Sequence, residues 1–134
     1  MVHASISETA YRVEIVAGGH ALVGDEPAAH GGADAGPAPF DLVLSGLAAC
    51  TLITLRMYAE RKGWAGVTVT GQFRYHKDGE TQRIDRRLEV AGAPDEAALQ
   101  RLREIAERTP VTLALKAGFA ISTQLEATQT ASQS

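Results

Sequence analysis

An uncharged apolar run from Leu42 to Leu55 constrains the fold of this chain more than any other stretch. It is 14 residues long and lies between Asp41 and Arg56. A membrane-spanning helix needs about 20 apolar residues, so the run predicts a buried core helix and no membrane span. Its side chains are apolar on nearly all sides of the helix, which is typical of a helix that is buried on most of its surface.

The residues around this run predict where the helix begins and ends. Proline is favoured at the first helical position, and Pro39 stands there. Gly63 suits the left-handed residue just past a helix, so we predict a helix from Pro39 to about Lys62. One small sheet cannot cover so much apolar surface. A second copy of the chain is the simplest cover, and we expect a homodimer.

Alternating apolar and polar residues predict strands on both sides of the long helix. Residues 1–9, the Gly- and Pro-rich stretch 28–39 and the polar tail from 126 to 134 are predicted to lack regular structure. The other predicted elements are strands at 11–17 and 20–27, the long helix, strands at 67–75 and 82–90, a helix from about 94 to 108, a short helix from 110, and a strand at 119–125.

This order, β-β-α-β-β-α-α-β, predicts the α+β class. The strands come in hairpins joined by short turns, so the sheets should be mostly antiparallel. A length of 134 residues fits one domain, with an ordered core from about residue 10 to 126. We therefore expect a single α+β domain with a long buried central helix.

Composition excludes several classes of function. The net charge is −3, aromatic residues make up 5%, and no basic block is longer than three residues, so nucleic-acid binding has little support. A single cysteine cannot form an internal disulfide, and the N-terminus has no pattern of a signal peptide. We expect a cytoplasmic protein with no membrane partner. No spacing of His, Cys or Asp predicts a metal site, and no cofactor is expected.

Cys50, the one cysteine, lies in the middle of the predicted long helix. Helical spacing puts Val43, Leu47 and Met57 on its face, and such apolar company favours a packing role. The thiol is about eleven residues into the helix, beyond the reach of the helix dipole. For Cys50 to act as a nucleophile, a cationic group must come from elsewhere in the fold.

Two side chains are candidates for that cation. Arg86 falls on the apolar face of its predicted strand, which is unusual for an arginine; it could stabilise a thiolate, snorkel to a sheet edge or pair with a glutamate. His20 follows the Gly18-Gly19 turn, where a histidine is more often simply solvated. The sequence pattern alone leaves a functional and a purely structural role open for both Arg86 and His20.

Three stretches of the chain carry a family resemblance: GPAPFDLVLSGLAACTLITLRMYAERKGW, RIDRRLEV and IAERTPV. Together they resemble the OsmC/Ohr superfamily of osmotically inducible and organic hydroperoxide resistance proteins. The likeness extends from about residue 10 to 126. Its specific part is a G-P-x-P loop that opens a long helix with A-A-C in its middle.

The resemblance implies a fold and a reaction. Members form intertwined homodimers with the two long helices at the centre. Active members reduce organic hydroperoxides with two cysteines: the first attacks the peroxide and becomes a sulfenic acid, and the second, before Pro-Val, forms a disulfide with it. A small dithiol or a lipoylated protein restores both thiols. In the peroxidase branch, an arginine of the N-terminal hairpin and a glutamate at the helix start activate the first thiol.

This chain keeps one part of that site and departs from the rest. Cys50 matches the first cysteine, and Thr109 stands where the second would be. Thr112 replaces a histidine that often follows, Phe40 replaces the glutamate, and His20 matches the arginine at best. A Cys50 sulfenic acid would need an external thiol reductant, or it would over-oxidise. Thr109 should still cap the short helix that starts at Pro110.

Three functions remain open at this point. The first is a one-cysteine thiol peroxidase for small organic hydroperoxides, with Cys50 as nucleophile and Arg86 or His20 as thiolate stabiliser. The second is a catalytically degenerate member that binds a small apolar ligand. The third is a structural role in which the dimer docks to another protein. The predicted pocket is lined by Pro37, Phe40, Val43, Leu47, Cys50 and Met57.

Overall fold

The computed structural model describes residues 1–128, which fold into five strands and three α-helices. The predicted disordered tail from 126 lies mostly outside these residues. In chain order the elements are β1 (Val2–Ile6), β2 (Val13–Ala17), β3 (His20–Gly24), α1 (Pro39–Arg61), β4 (Thr68–Asp78), β5 (Thr81–Ala91), α2 (Glu96–Ala106) and α3 (Pro110–Ala117).

The strands form two antiparallel sheets. β1, β2 and β3 make a three-stranded sheet in that order, with Ile15 opposite Ala4 on one side and Leu22 on the other. β4 and β5 form a separate long hairpin in which Phe73 faces Arg86. The hairpin turns at Gly79, whose φ of 62° is the left-handed conformation that the Asp-Gly sequence favours. The predicted α+β class with mostly antiparallel strands is confirmed.

The long helix begins and ends close to the predicted residues. Pro39 is its first residue, Arg61 is its last, and Gly63 follows with a φ of 74°. The helix packs against β4, α2 and α3. Leu55 and Ala59 of α1 meet Val67, Leu102 and Ala106 in the core. Apolar periodicity therefore located the central element of the fold.

The two ends of the chain differ from the prediction. Residues 2–6, expected to be frayed, form β1 and pair along their whole length with β2. Residues 119–125, expected to be a strand, have no strand pairing in the structure of residues 1–128. Their apolar side chains are exposed, by 86% at Ile121 and 90% at Leu125. The segment has the pattern of a strand and lacks a partner strand among residues 1–128.

α1 is also longer than the apolar run that predicts it. With 23 residues it is long and apolar enough to cross a membrane by length and composition, which the 14-residue run was not. The core helix of a globular protein can meet the same criteria. Here α1 contacts β4 of the hairpin and the other two helices, and it buries Leu47, Thr51, Leu55 and Ala59.

Asp25 organises the loop that leads into α1. Its side chain is buried and accepts backbone N–H bonds from Glu26, Ala33 and Ala35 at 2.7, 3.3 and 3.1 Å. The Ala35 N–H, more than the other two, holds the pKa of the carboxyl below its usual value, although burial opposes it. The predicted irregular stretch 28–39 is thus ordered by one carboxylate and includes a short 3-10 turn at Ala28–His30.

Candidate functional site

Arg86 joins three helical segments of the molecule. Its Nη1 donates to the Oγ1 atoms of Thr51 on α1 and Thr112 on α3, at 3.1 and 2.8 Å. Its Nη2 donates to the carbonyl oxygen of Ala106, the last residue of α2, at 2.6 Å. The side chain is only 13% exposed. A buried guanidinium with these partners holds β5, α1, α2 and α3 together.

The alternation of β5 explains why an arginine lies there. Ile84, Leu88 and Val90 occupy the same face of β5 as Arg86, and all are partly buried, whereas Arg87 on the other face is exposed. The predicted placement of Arg86 among apolar residues is confirmed. These contacts bear on the roles left open for Arg86, one of which is pairing with a glutamate. Among the described residues the carboxylate nearest to it is that of Glu107, whose Oε1 lies 3.8 Å from Nη2.

Thr109 is fully buried and belongs to the same network, although its predicted capping bond is absent. It is the N-cap residue of α3, yet its side chain makes no capping bond to the helix backbone. Its Oγ1 instead lies 2.6 Å from Oγ1 of Thr112, which accepts from Arg86. The prediction of an N-cap hydrogen bond was wrong because a hydroxyl three residues on offers a closer partner. Thr51, Arg86, Thr109 and Thr112 are called the Arg86 cluster below.

Cys50 lies next to this cluster without entering it. The residue is partly buried, and its Sγ is 4.0 Å from Oγ1 of Thr54, one turn further along α1. Within residues 1–128, neither Arg86 nor His20 forms a hydrogen bond with Sγ. The structure instead connects Arg86 to Thr51, the neighbour of Cys50. Arg86 of β5 thus contacts the residue that follows Cys50 in α1, while His20 is exposed at the start of β3.

A cavity of about 910 Å³ lies beside the Arg86 cluster. Of the predicted pocket residues, Phe40, Val43 and Leu47 line it. Its lining further includes Tyr75, Gln82, Arg83, Ile84, Asp85, Arg86, Glu107, Thr112, Leu115 and Lys116. The ring of Phe40, which stands where relatives are expected to have glutamate, stacks on Tyr75 at 4.0 Å between centroids and 7° between planes. The volume falls within the range of small-molecule sites.

The remaining predicted pocket residues lie elsewhere. Met57 is 49% exposed on the far part of α1, and Pro37 belongs to the Asp25 loop, where its carbonyl oxygen accepts from Asp25 N–H. Cys50 is not among the described residues that line the cavity. These three residues therefore lie outside the lining of this cavity, since helical spacing fixes a face of α1 and not how far the hairpin and α3 extend along it.

Glu107 and Lys116 complete the charged side of the cavity, and sequence reasoning missed both. Lys116 Nζ donates to Glu107 Oε2 at 2.9 Å. This bond, with the nearby charges of Lys116 and Arg86, lowers the pKa of Glu107 against the opposing effect of burial. Glu107 directly follows α2 and Lys116 lies in the last turn of α3. A charged residue at a helix end is expected to be simply solvated. The one sequence signal near these two residues is the Glu-Arg-Thr-Pro-Val segment, which matches the family motif.

Comparison with known proteins assigns the fold. The family model for OsmC-like proteins matches residues 31–124. Two solved structures share the fold: the organic hydroperoxide resistance protein OsmC of Legionella pneumophila and an OsmC-like protein of Mycoplasma pneumoniae. The first is 20% identical, with 87% of this chain and 88% of that chain covered and a TM-score of 0.62. The second is 19% identical, with 87% and 86% covered and a TM-score of 0.68.

No curated protein sequence matches this chain. The family match nevertheless spans the Asp25 loop from residue 31, all of α1 and the Arg86 cluster, and it ends at residue 124. It thus contains the stretches whose motifs first indicated the family. The chain belongs to the OsmC-like protein family.

Proposed function

We propose that this protein is a thiol-dependent organic hydroperoxide reductase that uses one cysteine, Cys50. The observation that carries the proposal is the partly buried thiol at the centre of α1 in an OsmC-like fold, one helical turn from Leu47, which lines a cavity large enough for a small organic substrate. The Legionella relative is named for organic hydroperoxide resistance. The family itself supports a redox role connected with stress.

The proposed reaction begins at the Cys50 sulfur. The thiolate attacks one peroxide oxygen, the O–O bond breaks, and the alkoxide leaves and takes a proton to become an alcohol. Cys50 is oxidised to a sulfenic acid. An external thiol then attacks the sulfenic sulfur, water leaves, and a mixed disulfide forms. A second thiol releases Cys50 and is oxidised with the first to a disulfide.

The external thiol is needed because Thr109 cannot resolve the sulfenic acid. Its hydroxyl is fully buried and bonded to Thr112, and a hydroxyl forms no disulfide. The Arg86 cluster fills the place that the resemblance assigns to the second cysteine and its neighbouring histidine. The proposed cycle is therefore one-cysteine, with a small dithiol or a protein thiol as partner.

We also propose that the working form is a homodimer. α1 exposes Val43, Ile53 and Met57 by 40%, 58% and 49%. The unpaired segment at 119–125 adds further exposed apolar side chains. Patches of this kind mark interaction surfaces. A dimer would also bring a second N-terminal sheet near α1, so the cation for Cys50 could come from His20 of the other copy.

Turnover in the presence of dithiothreitol tests the reductase proposal. Purified protein is mixed with cumene hydroperoxide and dithiothreitol, and loss of hydroperoxide is followed. We expect turnover by the wild type and background loss with Cys50→Ser. Thr54→Val is the matched control. It removes the only described hydrogen-bond partner of Sγ but keeps the thiol, so turnover should persist. Equal background rates for wild type and Cys50→Ser would reject the proposal.

A specific observation favours a second candidate, a ligand-binding protein without chemistry. The cavity is lined by Phe40, Val43 and Leu47 and does not include Cys50. In this case Cys50 would react slowly with a thiol dye, and freshly purified protein would carry a ligand visible by native mass spectrometry. Ligand binding that is unchanged by Cys50→Ser, together with absent turnover, would identify this function in place of the first.

A further inference from the structure

We propose that the cavity beside the Arg86 cluster is a binding site for an amphiphile with a single carboxylate, whose head group is held by Arg86 and Lys116. Three cationic and two anionic side chains line the cavity: Arg83, Arg86 and Lys116 against Asp85 and Glu107. The lining therefore has a net positive charge. Arg83 is already paired with Asp85 and Asp78, so the uncompensated charge lies on the Arg86 and Lys116 side.

Arg86 can donate further hydrogen bonds. Its Nη1 is bonded to two threonine hydroxyls and its Nη2 to one carbonyl oxygen. A guanidinium has five N–H donors, so two remain for other acceptors. Within residues 1–128 no acceptor bonds to Nε of Arg86, and the nearest carboxylate oxygen lies 3.8 Å from Nη2. All three bonded partners are uncharged, and the one described carboxylate within 4.0 Å, that of the exposed Glu107, makes no hydrogen bond to Arg86.

The contacts of Glu107 indicate that a carboxylate fits between Arg86 and Lys116. Its carboxylate is held by Lys116 at 2.9 Å and approaches Arg86, yet the side chain is 63% exposed. A carboxylate on an exposed side chain can be displaced or joined by another carboxylate that is better placed against Arg86. The Lys116 ammonium, also exposed, can turn to the incoming head group.

The cavity also has an apolar wall. Phe40, Val43 and Leu47 come from α1, with Ile84 from β5 and Leu115 from α3. An alkyl or aryl body would lie on this wall, while its charged end faces Arg86. Leu47 lies one turn before Cys50, so the wall leads toward the thiol. This proposal rests on the proposed function only in taking the amphiphile to be the substrate. The binding site itself follows from the charge and shape of the cavity.

Calorimetric titration of the full chain with octanoate and with 1-octanol tests the site. The two probes share a chain length and differ in the charged head. We expect octanoate to bind about tenfold more tightly, in line with charge-assisted hydrogen bonds. Equal affinity for both, or no octanoate binding, would overturn the proposal.

Two variants at exposed positions should move octanoate affinity in opposite directions. Glu107→Gln removes the competing carboxylate and should tighten octanoate binding about threefold, whereas Lys116→Gln should weaken it about threefold. Lys62→Gln, outside the cavity, should change nothing. A decrease with Glu107→Gln would overturn the assignment. Octanoate binding without hydroperoxide turnover would support this site and reject the proposed reductase, and turnover without octanoate binding would do the reverse.

Discussion

Arg86 donates a 2.8 Å hydrogen bond to Thr112, and through it reaches Thr109, the residue that the family resemblance matches to a resolving cysteine. In this structure Thr109 contributes a buried hydroxyl to a network centred on a guanidinium. Cys50 remains on α1, one residue from Thr51 at the other end of that network.

Replacing Arg86 should strongly destabilise the fold. Arg86→Met removes the donor to Thr51, Thr112 and the Ala106 carbonyl, so three hydrogen bonds between β5 and the helices are lost. We expect the free energy of unfolding to fall by about 3 kcal/mol, measured by urea denaturation. Arg87→Met, on the exposed face of β5, is the matched control and should change stability by less than about 0.5 kcal/mol. Equal effects of the two changes would contradict the role given to Arg86.

Restoring a cysteine at residue 109 should restore a disulfide. The resemblance places Thr109 opposite Cys50, and the cluster links it to Thr51 beside that cysteine. After one equivalent of cumene hydroperoxide, Thr109→Cys should lose both free thiols, counted with a thiol dye under denaturing conditions. Thr109→Ser keeps the hydroxyl and should lose only the Cys50 thiol. Persistence of the second thiol in Thr109→Cys would show that the two positions do not meet.

Acid should loosen the loop that precedes α1. Asp25 has a lowered pKa because backbone N–H groups, that of Ala35 above all, bond to its carboxylate. Its stabilising effect is fully present above the ordinary value of 3.8 and is lost as pH falls through the lowered pKa. Asp25→Asn should therefore reduce Tm at neutral pH, and the difference from wild type should shrink below about pH 3.8.

Asp34→Asn is the control for that experiment. Asp34 lies in the same loop, is exposed, and has a φ of 54°, a conformation that asparagine adopts readily. Its Tm should match that of the wild type at every pH. A Tm difference between wild type and Asp25→Asn that stays constant down to pH 2 would show that the carboxylate charge is not what orders the loop.

A charge on the exposed face of α1 should break the proposed homodimer. Ile53 is 58% exposed in the single chain. In sedimentation equilibrium we expect the wild type at twice 14.2 kDa and Ile53→Glu at the monomer mass. Gln100→Glu, on the polar face of α2, should leave the dimer intact. A monomeric wild type would contradict both the dimer and the covering of α1 by a second copy.

Sequence periodicity located the elements that carry their own apolar pattern. The bounds of α1, the β4–β5 hairpin and the inward position of Arg86 all follow from spacing within one segment. β1 could not be found in this way because all five of its residues are exposed and its order comes from backbone pairing with β2. The opposite error occurred at 119–125, where a strand pattern exists and no partner strand is found in the described part of the chain.

The partners of the site residues were beyond the reach of spacing. Thr51 and Thr112 are 35 and 26 positions from Arg86, and nothing local indicates that they meet. Spacing could not predict the cavity either, because residues of α1, the β4–β5 hairpin and α3 line it together. The resemblance singled out Thr109 and Thr112 as departures from the family pattern, and in the structure their hydroxyl oxygens lie 2.6 Å apart.

The rate at which Cys50 reacts with an organic hydroperoxide in a single turnover tests the central proposal most directly. Protein is mixed with excess cumene hydroperoxide without reductant, and free thiol is counted over time, with a dimedone trap for the sulfenic acid. We predict oxidation at least about a hundredfold faster than that of N-acetylcysteine, as expected for a site that assists its nucleophile. A rate equal to that of N-acetylcysteine would show that Cys50 is a packing residue and not a peroxidatic one.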